Sequence, residues 1–200
     1  MPPSIKREHR PHFPAPSTAS TGKLPVPVPE RSLTLIGMPG SGKSVIGRII
    51  ANLLGWTFLD TDRLIEQRHG GRLQGVIDQL GEGAFRQLEE ETVLGLEVGE
   101  PTVVATGGSV VYSEAAMRHL ASRSTIVFLD ASLEVVRQRI QAQAPRGIVG
   151  LHEGGLEELF RERLPLYRRY ADLVVQLHPG SAERAALTVL RALSVAAVRQ

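Results

Sequence analysis

Residues 37–44 read Gly-Met-Pro-Gly-Ser-Gly-Lys-Ser and fill every fixed position of the spacing G-x-x-x-x-G-K-[ST]. The chemistry such a stretch can do is to hold a polyphosphate. Glycines let backbone N–H groups turn inward around phosphate oxygens, and the N-terminus of a following helix adds favourable partial charge. A lysine at this position reaches the β- and γ-phosphates, and the next hydroxyl ligates Mg²⁺. Gly37, Gly40, Ser41, Gly42, Lys43, Ser44 and Val45 are therefore the candidate nucleotide-binding residues. Lys43 is also a catalytic candidate, as the only lysine after residue 31. As a loop residue it is expected to be exposed.

What is done with the nucleotide is narrowed by what else is present. A guanine-reading Asn-Lys-x-Asp segment is missing, since Asn52 is the only asparagine. Ile126-Val127-Phe128-Leu129-Asp130 has the form of a strand ending in a carboxylate, but Ala131 follows where a motor-type ATPase would carry a second acid to polarise water. Asp130 reads as an ordinary strand-end carboxylate.

A second group of chemically capable residues begins at Asp60-Thr61-Asp62. Two carboxylates at a strand end can divide the work, Asp60 holding Mg²⁺ and Asp62 polarising an acceptor hydroxyl. The spacing equally allows Asp62 to cap a helix over 63–68. Arg86 lies one helical turn from Glu89 and Glu90, either of which can orient its guanidinium. Thr106-Gly107-Gly108-Ser109 offers close backbone approach to a ligand, and Arg163-Leu164-Pro165-Leu166-Tyr167 adds another arginine. Tyr112, Trp56 and Tyr170 read as packing or surface residues.

These residues need a scaffold. Short apolar runs at 33–36, 57–59, 102–105, 125–129 and 173–177 predict strands that alternate with helical patterns over 44–54, 61–68, 82–98, 114–121, 132–142, 155–170 and 181–198. Strands that are continuously apolar and separated by helices predict an α/β fold, a five-stranded parallel sheet with helices on both faces. In such a sheet the strand ends frame the ligand crevice. Residues 144–155 carry four glycines and little that can pack, which suits a mobile lid.

The order and spacing of these pieces over residues 32–198 resemble the shikimate kinase family, a P-loop fold of nucleoside-monophosphate-kinase type. The resemblance implies transfer of the ATP γ-phosphate to the 3-hydroxyl of shikimate, with ATP and Mg²⁺ as cofactors. It implies that Asp62 meets the substrate hydroxyls and that Arg86, Arg163 and the Gly108 backbone bind the carboxylate side. Arg146 would reach over the phosphates from the lid as a catalytic residue, and Arg139 would stack on adenine. Ser44 and Asp60 would hold the metal. Bidentate arginine forks suit a carboxylate acceptor independently of the resemblance. A kinase for another polyol acid, such as gluconate, and a nucleotide-binding regulatory module without turnover are the other readings. Three positions depart from the family pattern. Ser109 stands where a third glycine is usual, and a positive φ there would strain it. Ile77 replaces a pocket aromatic, and the lid reads Arg146-Gly147-Ile148-Val149.

Composition sets the remaining bounds. Two hundred residues suffice for one domain, placed at 32–200. Residues 1–31 hold 8 of the 13 prolines and five basic against two acidic side chains, which predicts a disordered tail. Without that tail the chain has 18 basic and 19 acidic residues, so the folded part shows no electrostatic signature of nucleic-acid binding. No cysteine is present, which excludes disulfides and thiolate chemistry, and no apolar run has membrane-spanning length. A cytoplasmic monomer acting on a small-molecule substrate is the expected setting.

Overall fold

The computed structural model describes residues 31–97, 101–142, 147–151 and 155–197. Five strands form one parallel sheet: β1 (Ser32–Ile36), β2 (Thr57–Asp60), β3 (Thr102–Ala105), β4 (Ser124–Ala131) and β5 (Leu173–Leu177), in the order β2-β3-β1-β4-β5. Every residue of β1 and β3 is buried, as expected of central strands covered on both faces. The helices are α1 (Lys43–Leu54), α2 (Thr61–His69), α3 (Leu73–Leu94), α4 (Glu114–Arg123), α5 (Leu133–Gln141), α6 (Gly155–Tyr170) and α7 (Ala182–Ala197). Within these layers α1 packs on α7, α3 on α4 and α5 on α6.

The main core joins the strand residues Leu33, Leu35, Val103, Val104, Ile126 and Phe128 to Ile46 and Ile50 of α1 and Tyr167 of α6. Tyr167 stacks on Phe128 with ring centroids 5.1 Å apart, which ties α6 to the sheet beside the site. A smaller cluster of Ile65, Val76, Ile77, Phe85 and Val149 lies between α2, α3 and the 147–151 segment.

Two expectations are corrected here. The helix expected over 82–98 is the second half of α3, which starts at Leu73 and ends at Leu94. Gly75, Gly81 and Gly83 interrupt the apolar period, and Gly81 (φ 75°, ψ 161°) kinks the helix in a conformation that other residues rarely adopt. The stretch judged to have little to pack is also docked in its middle. Val149 is buried in the smaller cluster, and the Gly150 amide donates to Glu82 Oε1 at 2.8 Å. Residues 1–30, 143–146 and 152–154, and with them the tail, Arg146 and the ends of the lid, lie outside the described residues. Among the described residues no helix is long and apolar enough to cross a membrane.

Candidate active site

The site sits at the C-terminal ends of β1, β2 and β3, where the chain leaves the sheet in the phosphate loop, at Asp60 and at the Gly107-Gly108 turn. The phosphate loop joins β1 to α1, and Gly42 takes a left-handed conformation (φ 100°) as the N-cap of α1. The Ser41 hydroxyl is buried without a hydrogen-bond partner among the described residues. A buried hydroxyl of that kind is costly unless a ligand oxygen completes it, so the loop fits a phosphate.

Lys43 is buried rather than exposed. Its ammonium donates to Gly37 O (2.8 Å) and Met38 O (3.0 Å) across the mouth of the loop. Burial pushes its pKa down to about 8, opposed in part by the Asp62 and Asp60 carboxylates. Arg139, on α5, lies on the same loop, with Nη1 donating to Ser41 O at 2.9 Å and Gly40 O at 3.4 Å. Its guanidinium thus braces the loop backbone. Val45, in the first turn of α1, is exposed.

Asp60 ends β2 and is the N-cap of α2, accepting from the Arg63 amide at 3.4 Å. The cap that the spacing allowed at Asp62 is therefore two residues earlier, because α2 begins at Thr61. Asp62 lies in the first turn instead, and its Oδ1 would be 2.8 Å from a Cβ on Gly107. Gly107 itself donates to Thr61 Oγ1 at 3.0 Å, which locks the turn to the start of α2. A Cβ on Gly107 would overlap Glu89 Oε1, and one on Gly108 would lie 3.0 Å from both Arg163 Nη1 and Pro39 Cδ. Close approach, with carboxylates on one side and the phosphate loop on the other, is what these two glycines permit.

Ser109 is unstrained, with φ −91°, so no positive φ is required of it. Its hydroxyl donates to Glu89. Glu89 is buried, and that burial pushes its pKa up to about 7 against the Ser109 hydrogen bond. Glu90 accepts from Ser113 at 2.6 Å. The hydrogen bonds of the two glutamates thus go to serines, with Glu89 acting on Arg86 through its charge, and the Arg86 guanidinium carbon sits 4.2 Å from the centre of the Tyr112 ring. Arg163 is only 1% exposed and meets the same ring at 5.1 Å. It donates through Nε to the Tyr112 hydroxyl (3.2 Å) and through Nη2 to Val149 O (2.7 Å). Both Nη2 atoms stand within 3.7 Å of the point where a side chain on Gly150 would begin. Tyr167 fixes the turn from below, its hydroxyl donating to Gly108 O at 2.7 Å.

A phosphate loop, an adjacent carboxylate pair and two converging arginines are the parts of a kinase for a small anionic acceptor. The shikimate kinase family profile matches residues 39–194. The chain belongs to the shikimate kinase family. It is 46% identical over 156 residues to the shikimate kinase of Paracidovorax citrulli, covering 76% of this chain and 85% of that one. With the Methylococcus capsulatus shikimate kinase it shares 34% identity over 171 residues, covering 84% and 96%. The shikimate kinase of Acinetobacter baumannii, solved in complex with shikimate, superposes with a TM-score of 0.75 at 30% identity, covering 85% of this chain and 94% of that one. A deoxyadenosine kinase from M. mycoides shares the fold alone, at 12% identity and a TM-score of 0.52. As a shikimate kinase family member the chain is an ATP-using phosphotransferase. Of its expected site residues, the structure brings Lys43, Asp60, Asp62, Arg86, Gly108 and Arg163 to the same end of the sheet, while Arg146 is outside the described residues. Ile77 is a core residue of the smaller cluster, packed under Gly147.

Sequence reasoning missed Tyr112. Its only signal is position, four residues beyond Gly108 and directly after two buried valines in a 3₁₀ turn (Val110–Tyr112).

Proposed function

We propose that this protein transfers the γ-phosphoryl group of Mg·ATP to the 3-hydroxyl of shikimate. The observation that carries the reading is the convergence of Arg86 and Arg163 on one point beside Asp62 and the phosphate loop. Two forked guanidiniums that meet near a buried turn suit a carboxylate far better than a neutral polyol.

In this reading the loop amides and the Ser41 hydroxyl hold the phosphates. Lys43 turns from its two carbonyl partners to the β- and γ-phosphates, where its charge offsets the negative charge of the moving group. Asp62 receives the acceptor hydroxyl and takes up its proton as the oxygen attacks. The Gly108 amide and the two arginines hold the acceptor carboxylate, which fixes the hydroxyl in line with the phosphorus. Arg139 flanks the adenine from its place on the loop, and Arg146 reaches the phosphates from the lid. The Ser44 hydroxyl and the Asp60 carboxylate are hard oxygen donors of the kind that would hold Mg²⁺. Bound there, Mg²⁺ would supply positive charge against the phosphates. Every residue in this scheme comes from one chain, so a monomer suffices.

A coupled assay of ADP release with shikimate, with gluconate and with no acceptor tests the proposal. Turnover that depends on shikimate is expected. Equal or greater rates with gluconate, or acceptor-independent hydrolysis alone, would overturn it.

A further inference from the structure

We propose that Tyr112 is a positioning residue for acceptor binding, an aromatic wedge that sets where the Arg86 and Arg163 guanidiniums stand. The inference rests on the shikimate reading of the same site. Two like charges have been brought to one place, where the buried Glu89 carboxylate acts on both through its charge while its hydrogen bond goes to Ser109. Glu89 is bonded to Ser109 and Glu90 to Ser113. Arg86 Nε is buried without a hydrogen-bond partner among the described residues. What lies against both guanidiniums is the Tyr112 ring, 4.2 Å from one and 5.1 Å from the other.

The ring can do this because its negative faces attract cations most strongly where water is excluded. The phenol oxygen adds a directional contact by accepting from Arg163 Nε. That bond leaves Nη1 beside Gly108 and commits Nη2 to Val149 O, so the orientation of the Arg163 fork is determined at three points. Tyr112 is in turn fixed to the turn that faces the acceptor. Its amide donates to Ser109 O at 3.0 Å, and Val110 and Val111, which lie between the two bonded residues, are buried. Ring and turn therefore move as one piece, and the spacing of the two arginines follows the backbone that receives the substrate. A planar carboxylate would gain from that spacing, whereas an ester of the same acid would gain little.

The test separates ring from hydroxyl in the full chain. Tyr112→Phe keeps the ring, Tyr112→Gln keeps a hydrogen-bond acceptor, and Tyr112→Leu keeps neither. Steady-state kinetics are measured with shikimate, methyl shikimate and ATP varied in turn, alongside thermal melting. Tyr112→Leu and Tyr112→Gln are expected to raise KM for shikimate about tenfold, with Tyr112→Phe within about threefold. KM for ATP, kcat and KM for the methyl ester should stay within about twofold in all three, since the donor and the ester do not use the paired charges. An unchanged shikimate KM in Tyr112→Leu and Tyr112→Gln would overturn the proposal. So would equal losses for acid, ester and ATP accompanied by a lower Tm, which is the pattern of a side chain that only packs. Lack of shikimate turnover by the unaltered chain would overturn the substrate assignment on which the clamp depends, and is distinguished because it precedes any substitution.

Discussion

The Ser109 hydroxyl donates to the buried Glu89 carboxylate directly beside the turn that faces the acceptor. This bond gives a side chain at that position a structural task. Ser109→Ala would leave a buried carboxyl without its donor. The expected loss of stability is about 1–3 kcal/mol, the usual cost of orphaning a buried polar group. It should be greatest above pH 7, where Glu89 is ionised, and smaller near pH 6. Denaturant unfolding of both forms at the two pH values checks this. A loss below about 0.5 kcal/mol at pH 8 would mean that the hydrogen bond contributes nothing net.

Glu89 also predicts a pH dependence of its own. Its pKa in the folded protein is raised to about 7 from an ordinary 4.5, chiefly by burial. The folded state then retains a proton that the unfolded chain releases, so Glu89 makes stability fall as pH rises from about 4.5 to 7. The contribution over that range is up to about 3 kcal/mol. Glu89→Gln, which fixes the neutral form, should flatten the stability profile over this interval. If the slope between pH 5 and 7 is the same in both proteins, Glu89 is not the group responsible.

Lys43 titrates in the other direction. Burial holds its pKa down to about 8, so near pH 8 a substantial fraction of the ligand-free protein carries it neutral. Phosphate oxygens arriving beside it raise that pKa again, and nucleotide binding should take up about half a proton at pH 8. Titration calorimetry in buffers of different ionisation enthalpy measures the uptake, and Lys43→Met should lose it. The same variant should lose roughly 10²–10³-fold in kcat, as for removal of a preorganised charge partner. Proton uptake that persists in Lys43→Met would assign it to another group.

The two arginines are predicted to behave alike toward substrate and differently toward stability. Arg86→Lys and Arg163→Lys should each raise KM for shikimate roughly 10–100-fold, because a point charge does not reproduce the planar fork. KM for ATP should hardly move. Arg163 is also bonded to Tyr112 and to Val149 of the lid segment, so its substitution should lower Tm measurably more than that of Arg86. Normal shikimate KM in both variants would refute the carboxylate clamp.

What could be read in the sequence was what depends on neighbours along the chain. The phosphate loop is contiguous, so its eight residues carry their own chemistry and even imply the strand before and the helix after. The five strands were legible for a related reason. A strand buried on both faces is apolar throughout, and β1, β3 and β4 announce themselves by composition. The first half of α3 was illegible because its glycines erase the apolar period, while its stability comes from packing Val76 and Ile77 against Phe85 and Val149.

The acceptor site belongs to the tertiary structure. That Asp60 rather than Asp62 caps α2 depends on where β2 stops pairing with β3. The burial of Lys43 depends on the carbonyls of the loop folding over it, which no spacing rule reports. The partners of Arg86, Ser109, Tyr112 and Arg163 come from α3, the β3 turn and α6, and their sequence separations carry no trace of contact. Each of those side chains has several chemically acceptable partners in the chain. Which one it takes is decided by competition for space and for buried hydrogen bonds at the end of the sheet, and that competition exists only once the strands have brought the loops together.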